Sequence, residues 1–208
     1  MTLESTILNR ALKLSEEIYD ESMYGIDDLY RIKDIVHSVD KNHWESKEWL
    51  AKEFYKHYNH HDGNILVVGG WYGMMAYQLR KQWKNSSMNI TSSDMDPMCD
   101  FYGYKLFYDQ DIAFETLDVN SEIDYSQYTA IINTSCEHME QEDLVNIIKR
   151  KPANTWICFQ TNDYTLLDAH INCWPGAKTF GDSLGLEYIA YTGTLDLGDF
   201  NRQMVIGK

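Results

Sequence analysis

The sequence predicts an α/β fold, a mostly parallel sheet with helices on both faces, preceded by a helical cap and closed by a C-terminal hairpin. Three observations carry that prediction. Residues 1–60 show helical periodicity with no β-run. From 61 to 208 short apolar runs alternate with helical stretches, the pattern of parallel strands joined by crossover helices. The final stretch, "LEYIAYTGTLDLGDFNRQMVIGK", places two strand-like ends around a Gly-rich turn.

The cap comes first. Ile7, Ala11, Leu14 and Ile18 recur on one helical face. Ile26, Leu29, Ile35, Val36 and Val39 mark a second segment after a break at Gly25. "HWESKEWLAKEFYKHY" reads as a third helix with Trp49, Leu50 and Phe54 inward. Then "NILVVGG" is a strand and "GMMAYQLRKQW" a helix, and "MNITSSD" is the next strand. "PMCDFYGYKLFYD" is a helix opened by Pro97, where a missing N–H costs nothing. "IAFETLDV" and "YTAIINTS" follow as strands, "EQEDLVNIIKR" as a helix and "TWICFQTN" as a strand. With the hairpin this makes seven strands.

Composition narrows the function classes. At 208 residues and 44% hydrophobic the chain can bury one sizeable core. No apolar run approaches the ~18–20 residues of a membrane span, and "MTLESTILNRALKLSEE" lacks the pattern of a secretory signal. The four cysteines form no CxxC pair, which suits reduced thiols and a cytoplasmic setting. A net charge of −14 disfavours nucleic acid, because phosphate contacts call for a basic face. "LRKQWK" and "IIKRKP" are too short to supply one. "HYNHHD", with His57, His60 and His61, reads as a polar connector, and no metal is expected.

In sheets of this kind ligands bind beyond the carboxyl ends of the strands. At the first exit Gly69, Gly70 and Gly73 allow a tight turn and a close approach of the backbone, and the helix that follows adds its positive end. A GxGxxG fingerprint would need glycines where Trp71 and Met74 stand, and no GK[ST] follows, so dinucleotide and P-loop readings lose ground. At the second exit Asp94 stands 25 positions after Gly69, close to the spacing at which a carboxylate meets a ribose hydroxyl pair. Asp96 is better placed to cap the helix at Pro97. At the third exit Asp118 could take an exocyclic amine or form a turn.

These exits together resemble the class I S-adenosylmethionine-dependent methyltransferases, from Asn64 to about Asp163. The resemblance implies a Rossmann-like domain whose Gly69–Gly73 turn, including Trp71 and Tyr72, wraps the methionine part of S-adenosyl-L-methionine. It implies that Asp94 holds the ribose and that Asp118, with Val119, sits by the adenine. "IINTSCEHM" looks like the family's segment after the fourth strand, which places Asn133 through His138 beside the transferred methyl group. Many members read D/E-x-G-x-G-x-G; here Val67 replaces the acid and Trp71 the middle glycine. "ILVVGGWYG" also looks like the turn of spermidine-synthase-like aminopropyltransferases, but those carry Asp after the fourth strand where this chain has Asn133.

The resemblance implies methyl transfer to a small molecule or a protein group. A base is needed only if the nucleophile starts protonated, and His138 and Glu137 are the candidates. Cys136, among acidic neighbours, is a poor nucleophile. Gln160 and Asn162 at the fifth exit could orient a polar acceptor. Tyr24, Tyr30 and Trp44 lie in the cap, which in this family commonly folds over the cofactor as a lid. A catalytically silent member that works by binding is the rival reading.

Overall fold

The computed structural model describes residues 3–21 and 26–208; the expected break at Gly25, and Tyr24 with it, lies outside them. Three helices open the chain: α1 (Leu3–Glu21), α2 (Ile26–His37) and α3 (Lys41–His57). In α1 the stripe Ile7, Ala11, Leu14 and Ile18 is buried. In α2 Ile35 is buried but Leu29 is exposed, so only part of its apolar set faces the core. Asp40 starts α3 by accepting a hydrogen bond from the His43 backbone N–H at 2.8 Å. Leu50 and Phe54 of α3 are fully buried.

The α/β part runs β1 (Asp62–Val68), α4 (Met74–Gln82), β2 (Ser87–Asp94), α5 (Pro97–Phe107), β3 (Ala113–Thr116), β4 (Ala130–Asn133), α6 (Gln141–Arg150), β5 (Trp156–Asn162), α7 (Ala177–Ser183), β6 (Ile189–Asp196) and β7 (Asn201–Gly207). The seven strands form one sheet in the order β3-β2-β1-β4-β5-β7-β6. Strands β1 to β5 pair in parallel, and β7 pairs antiparallel with both β5 and β6. The hairpin therefore adds one strand against the common direction, because β7 inserts beside β5 and leaves β6 at the edge. Sequence reading overlooked α7, whose seven residues "AKTFGDS" are too few to show a helical period.

Alternation along β1 shows why both faces are covered. Ile65 and Val67 point into a core with Leu50 and Phe54 of α3 and Leu79 of α4. Leu66 and Val68 point the other way, onto Leu144 and Ile147 of α6 and Phe180 of α7. A third core joins Ile7 and Ala11 of α1 and Ile35 of α2 to Tyr77, Cys99 and Phe107. The cap thus shares its hydrophobic interior with the sheet layers. Among the described residues no helix is long and apolar enough to cross a membrane. The strand order reverses between β1 and β4, so the exits of β1, β2 and β4 converge at the switch point.

Candidate functional site

The first exit is a tight turn built largely from its own hydrogen bonds. Gly69 and Gly73 have φ of 58° and 93°, and Trp71 is left-handed too, at 49°. For a residue with a side chain that conformation costs roughly 1–2 kcal/mol, so it persists only where the surroundings hold it. Here the Trp71 N–H donates to Asp94 Oδ2 at 3.0 Å, and the Gly70 N–H donates to the Ser93 carbonyl at 2.8 Å. A Cβ at Gly70 would meet Ser92 Oγ at 2.3 Å. The Trp71 indole lies against the rings of His43 and Tyr72, with centroids 5.5 and 5.4 Å away. The backbone donors of Gly70, Trp71 and Gly73 are all engaged within the protein, contrary to the expectation that the turn offers them to a ligand.

Asp94 ends β2 with its carboxylate against that turn. Its second oxygen accepts the Asp96 N–H at 3.2 Å. Burial raises its pKa above the ordinary carboxylate range, partly offset by the N–H groups of Asp96 and Trp71. Asp96 caps α5 through the Met98 N–H at 2.9 Å and pairs with Arg31 Nη1 at 2.6 Å. Arg31 also donates to the Tyr72 hydroxyl at 2.9 Å, so α2 is clamped across the first two exits. Desolvation raises Asp96, but the Met98 N–H and Arg31 prevail and hold it below the usual range.

At the third exit Asp118 is exposed and accepts the Asn120 N–H at 2.9 Å, the geometry of a turn former. Val119 is half-buried, and its carbonyl accepts from Arg150 at 3.4 Å. At the fourth exit Asn133 is fully buried and spent on local folding: its Oδ1 accepts the Ser135 N–H at 2.8 Å and its Nδ2 meets Met139 Sδ at 3.1 Å. Ser135 Oγ reaches back to the Gly69 carbonyl at 2.9 Å, tying this loop to the first exit. Cys136 is buried and its thiol is pushed far up by burial, which leaves it inert.

Glu137 and His138 lie in the single 3-10 turn after β4 and differ sharply. Glu137 is buried; its Oε1 accepts from Arg202 of β7 and from Asn162 Nδ2 at 3.0 Å, while Oε2 has no partner. Burial would raise its pKa, but Arg202 and Lys47 prevail and keep it ionised. His138 is exposed, with its ring 4.8 Å from that of His170. Its Nδ1 lies 3.0 Å from the Ala169 carbonyl, which can only accept. The proton of the neutral ring therefore sits on Nδ1 and the lone pair on Nε2. Partial desolvation of the ring by its neighbours lowers the His138 pKa, with His170 and Arg202 adding to it, so the ring is mostly neutral at neutral pH.

Three contributors escaped sequence reading. Lys47 of α3 is buried and makes no ion pair or hydrogen bond among the described residues. Burial, with Arg202 adding to it, brings its ammonium down to about 7. Arg202 is buried with its Nε unpartnered and Nη2 donating to the Thr134 carbonyl. Arg31 clamps the second exit. A signal for the first two was present: Lys47 shares a helical face with Leu50 and Phe54, and Arg202 alternates with Met204 and Ile206 on a buried strand face. A charge on an inward face asks for an explanation.

Among the described residues two groups bring three metal-type donors within 4.8 Å of one another: His37, Asp40 and His43, and Glu137, His138 and His170. Asp40 in the first is occupied as the cap of α3. The second lies in the positive field of Arg202 and Lys47, which opposes a cation.

No protein-family model matches the chain, and no curated protein is similar to it in sequence. Solved structures do share its fold. The CurJ carbon methyltransferase superimposes with a TM-score of 0.62 at 11% identity, covering 77% of this chain and 54% of its own. The CMeT domain of the citrinin polyketide synthase gives 0.63 at 14% identity, covering 85% and 56%. MtNAS in complex with S-adenosylmethionine gives 0.58 at 14% identity and covers 96% of this chain, helical cap included, and 72% of its own. The chain thus spans little more than half the length of the first two. Its fold is that of the class I S-adenosylmethionine-dependent methyltransferases.

Proposed function

We propose that the chain is an S-adenosylmethionine-dependent methyltransferase acting on a small polar molecule. The observation that carries this reading is the Asp94 carboxylate, half-buried at the switch point with each oxygen accepting a backbone N–H, from Trp71 and Asp96. A carboxylate has about four lone-pair sites, so both oxygens retain capacity for a ribose hydroxyl pair. The residues present therefore fit the cofactor.

When bound, S-adenosylmethionine supplies a methyl group already activated on a sulfonium. The protein's work is then alignment and exclusion of water. Asp94 orients the ribose. Trp71, backed by His43, walls the turn. His138 can accept a proton at Nε2. Glu137, held ionised by Arg202, serves as a fixed negative charge and not as a base.

The engaged N–H groups of the first turn favour a second reading, a silent member that works by contact. Calorimetric titration with S-adenosylmethionine, S-adenosylhomocysteine and the decarboxylated cofactor separates the two. Micromolar binding of the first two is expected. Preference for the decarboxylated form would mean aminopropyl transfer, and no heat with any of them would leave the silent reading.

A further inference from the structure

The fourth-exit cluster contains three buried groups whose bonding is incomplete. Glu137 Oε2 is an acceptor without a donor, and Arg202 Nε is a donor without an acceptor. The Lys47 ammonium has neither ion pair nor hydrogen bond among the described residues. Glu137 and Arg202 are each 5% exposed and Lys47 8%, and Glu137 Oε2 and Arg202 Nε are themselves closed to solvent, so water does not make up the deficit of those two atoms. A buried polar group left unmatched costs about 1–3 kcal/mol, more if charged. Three in contact with one another's fields call for a common partner.

We propose that this cluster is the acceptor subsite and that it takes an α-amino-carboxylate group, that is, an amino acid or a molecule ending in one. The inference rests on the methyltransferase reading. Its chemistry follows from what each group lacks. A carboxylate answers Lys47 and Arg202 Nε, and an adjacent amine answers Glu137 Oε2. A carboxylate alone would leave Glu137 unmet, and an amine alone would leave Lys47 unmet. Two cations against one anion give the pocket a surplus positive charge, which favours the carboxylate end.

The same chemistry occurs at the methionine end of the cofactor, and topology decides between the two sources. Asp94 and the Gly69–Gly73 turn lie on β1 and β2. The cluster is built from the β4 loop, Asn162 of β5, Arg202 of β7 and Lys47 of α3, on the other side of the switch point. Between them stands His43, one turn before Lys47 on α3, with its ring on Trp71. An acceptor held at Lys47 would face the cofactor across that ring.

The test is calorimetric titration of the protein loaded with S-adenosylhomocysteine, using the standard L-amino acids one at a time. The best binder is then compared with its decarboxylated and its deaminated counterparts. At least one amino acid should bind, and each counterpart should bind at least about tenfold more weakly. Lys47→Met should weaken the amino acid by about tenfold while leaving S-adenosylhomocysteine affinity within about twofold. Met fills the volume of the lysine stem while Arg202 stays on Glu137, and a denaturation midpoint checks that this variant keeps its fold. Binding of S-adenosylhomocysteine but of no amino acid overturns the proposal and leaves the cofactor reading standing. Weaker S-adenosylhomocysteine binding in Lys47→Met also overturns it, by assigning the cluster to the cofactor's methionine end. If S-adenosylhomocysteine fails to bind, both readings fall.

Discussion

The two halves of the strand-exit surface are finished to different degrees. On the β1–β2 side the polar groups have found one another: Trp71 and Asp96 on Asp94, Gly70 on Ser93, and Arg31 on both Tyr72 and Asp96. On the β4–β5–β7 side Glu137, Arg202 and Lys47 are more deeply buried and less completely paired. Satisfied polar groups rigidify a scaffold, whereas unsatisfied buried ones store free energy that a ligand can release. The first side is thus a preformed frame, and the second is a cluster of buried charges whose bonding is incomplete.

The largest effect should come from striking the unfinished side. Glu137→Gln leaves Arg202 as an uncompensated buried cation, and denaturant titration should show a loss of about 4 kcal/mol. A loss under about 1 kcal/mol would mean that water reaches the cluster and that the contrast between the two halves is weaker than drawn.

Lys47→Met should move stability the other way. The folded-state pKa of Lys47, about 7, lies below the ordinary 10.5, so the folded protein carries the cost of a buried charge at and below neutrality. Between those values the unfolded chain binds the extra proton, and wild-type stability rises with pH. The variant should therefore be more stable at pH 7, by on the order of a few kcal/mol. The gain should shrink toward zero as pH approaches 10.5. Denaturation midpoints across that range check the sign.

On the finished side the effects are smaller. Asp94→Ala should weaken S-adenosylmethionine at least tenfold, about 1.4 kcal/mol, through loss of charge-assisted hydrogen bonds. Unchanged affinity by calorimetry would remove Asp94 from the ribose. Smallest is Arg31→Ala. Its ion pair with Asp96 is partly exposed, so no more than about 1 kcal/mol is expected. Asp96 has a depressed pKa, so that contribution is present above the ordinary 3.8 and is lost as pH falls through the folded-state value. Thermal melts at neutral and acid pH should show the wild-type advantage over this variant only at the former.

The same contrast runs through what could be read in advance. The finished side lay open to sequence reading because its signals are local. Gly69, Gly70 and Gly73 follow an apolar run directly, and Asp94 stands at the end of the next one. Asp118 and Asn133 were also found at strand exits, yet the structure shows one shaping an exposed turn and the other folding its own loop. Position at an exit names a candidate and does not say whether its side chain is already spent. Within α2, likewise, apolar character does not fix burial: Ile35 is buried and Leu29 is exposed.

By itself the sequence determined the alternation of strands and helices, the parallel sheet they form, the turn after β1 and the acids at the exits. These are set by residue period, glycine and capping chemistry, interactions that reach only a few positions along the chain. Tertiary structure decided the rest. Arg202 meets Glu137 and Arg31 meets Asp96 across 65 residues each. The charge of Lys47 became costly only once α3 had packed it against the sheet. A charge acquires its energy from the dielectric and the partners around it, and those exist only after the chain has folded.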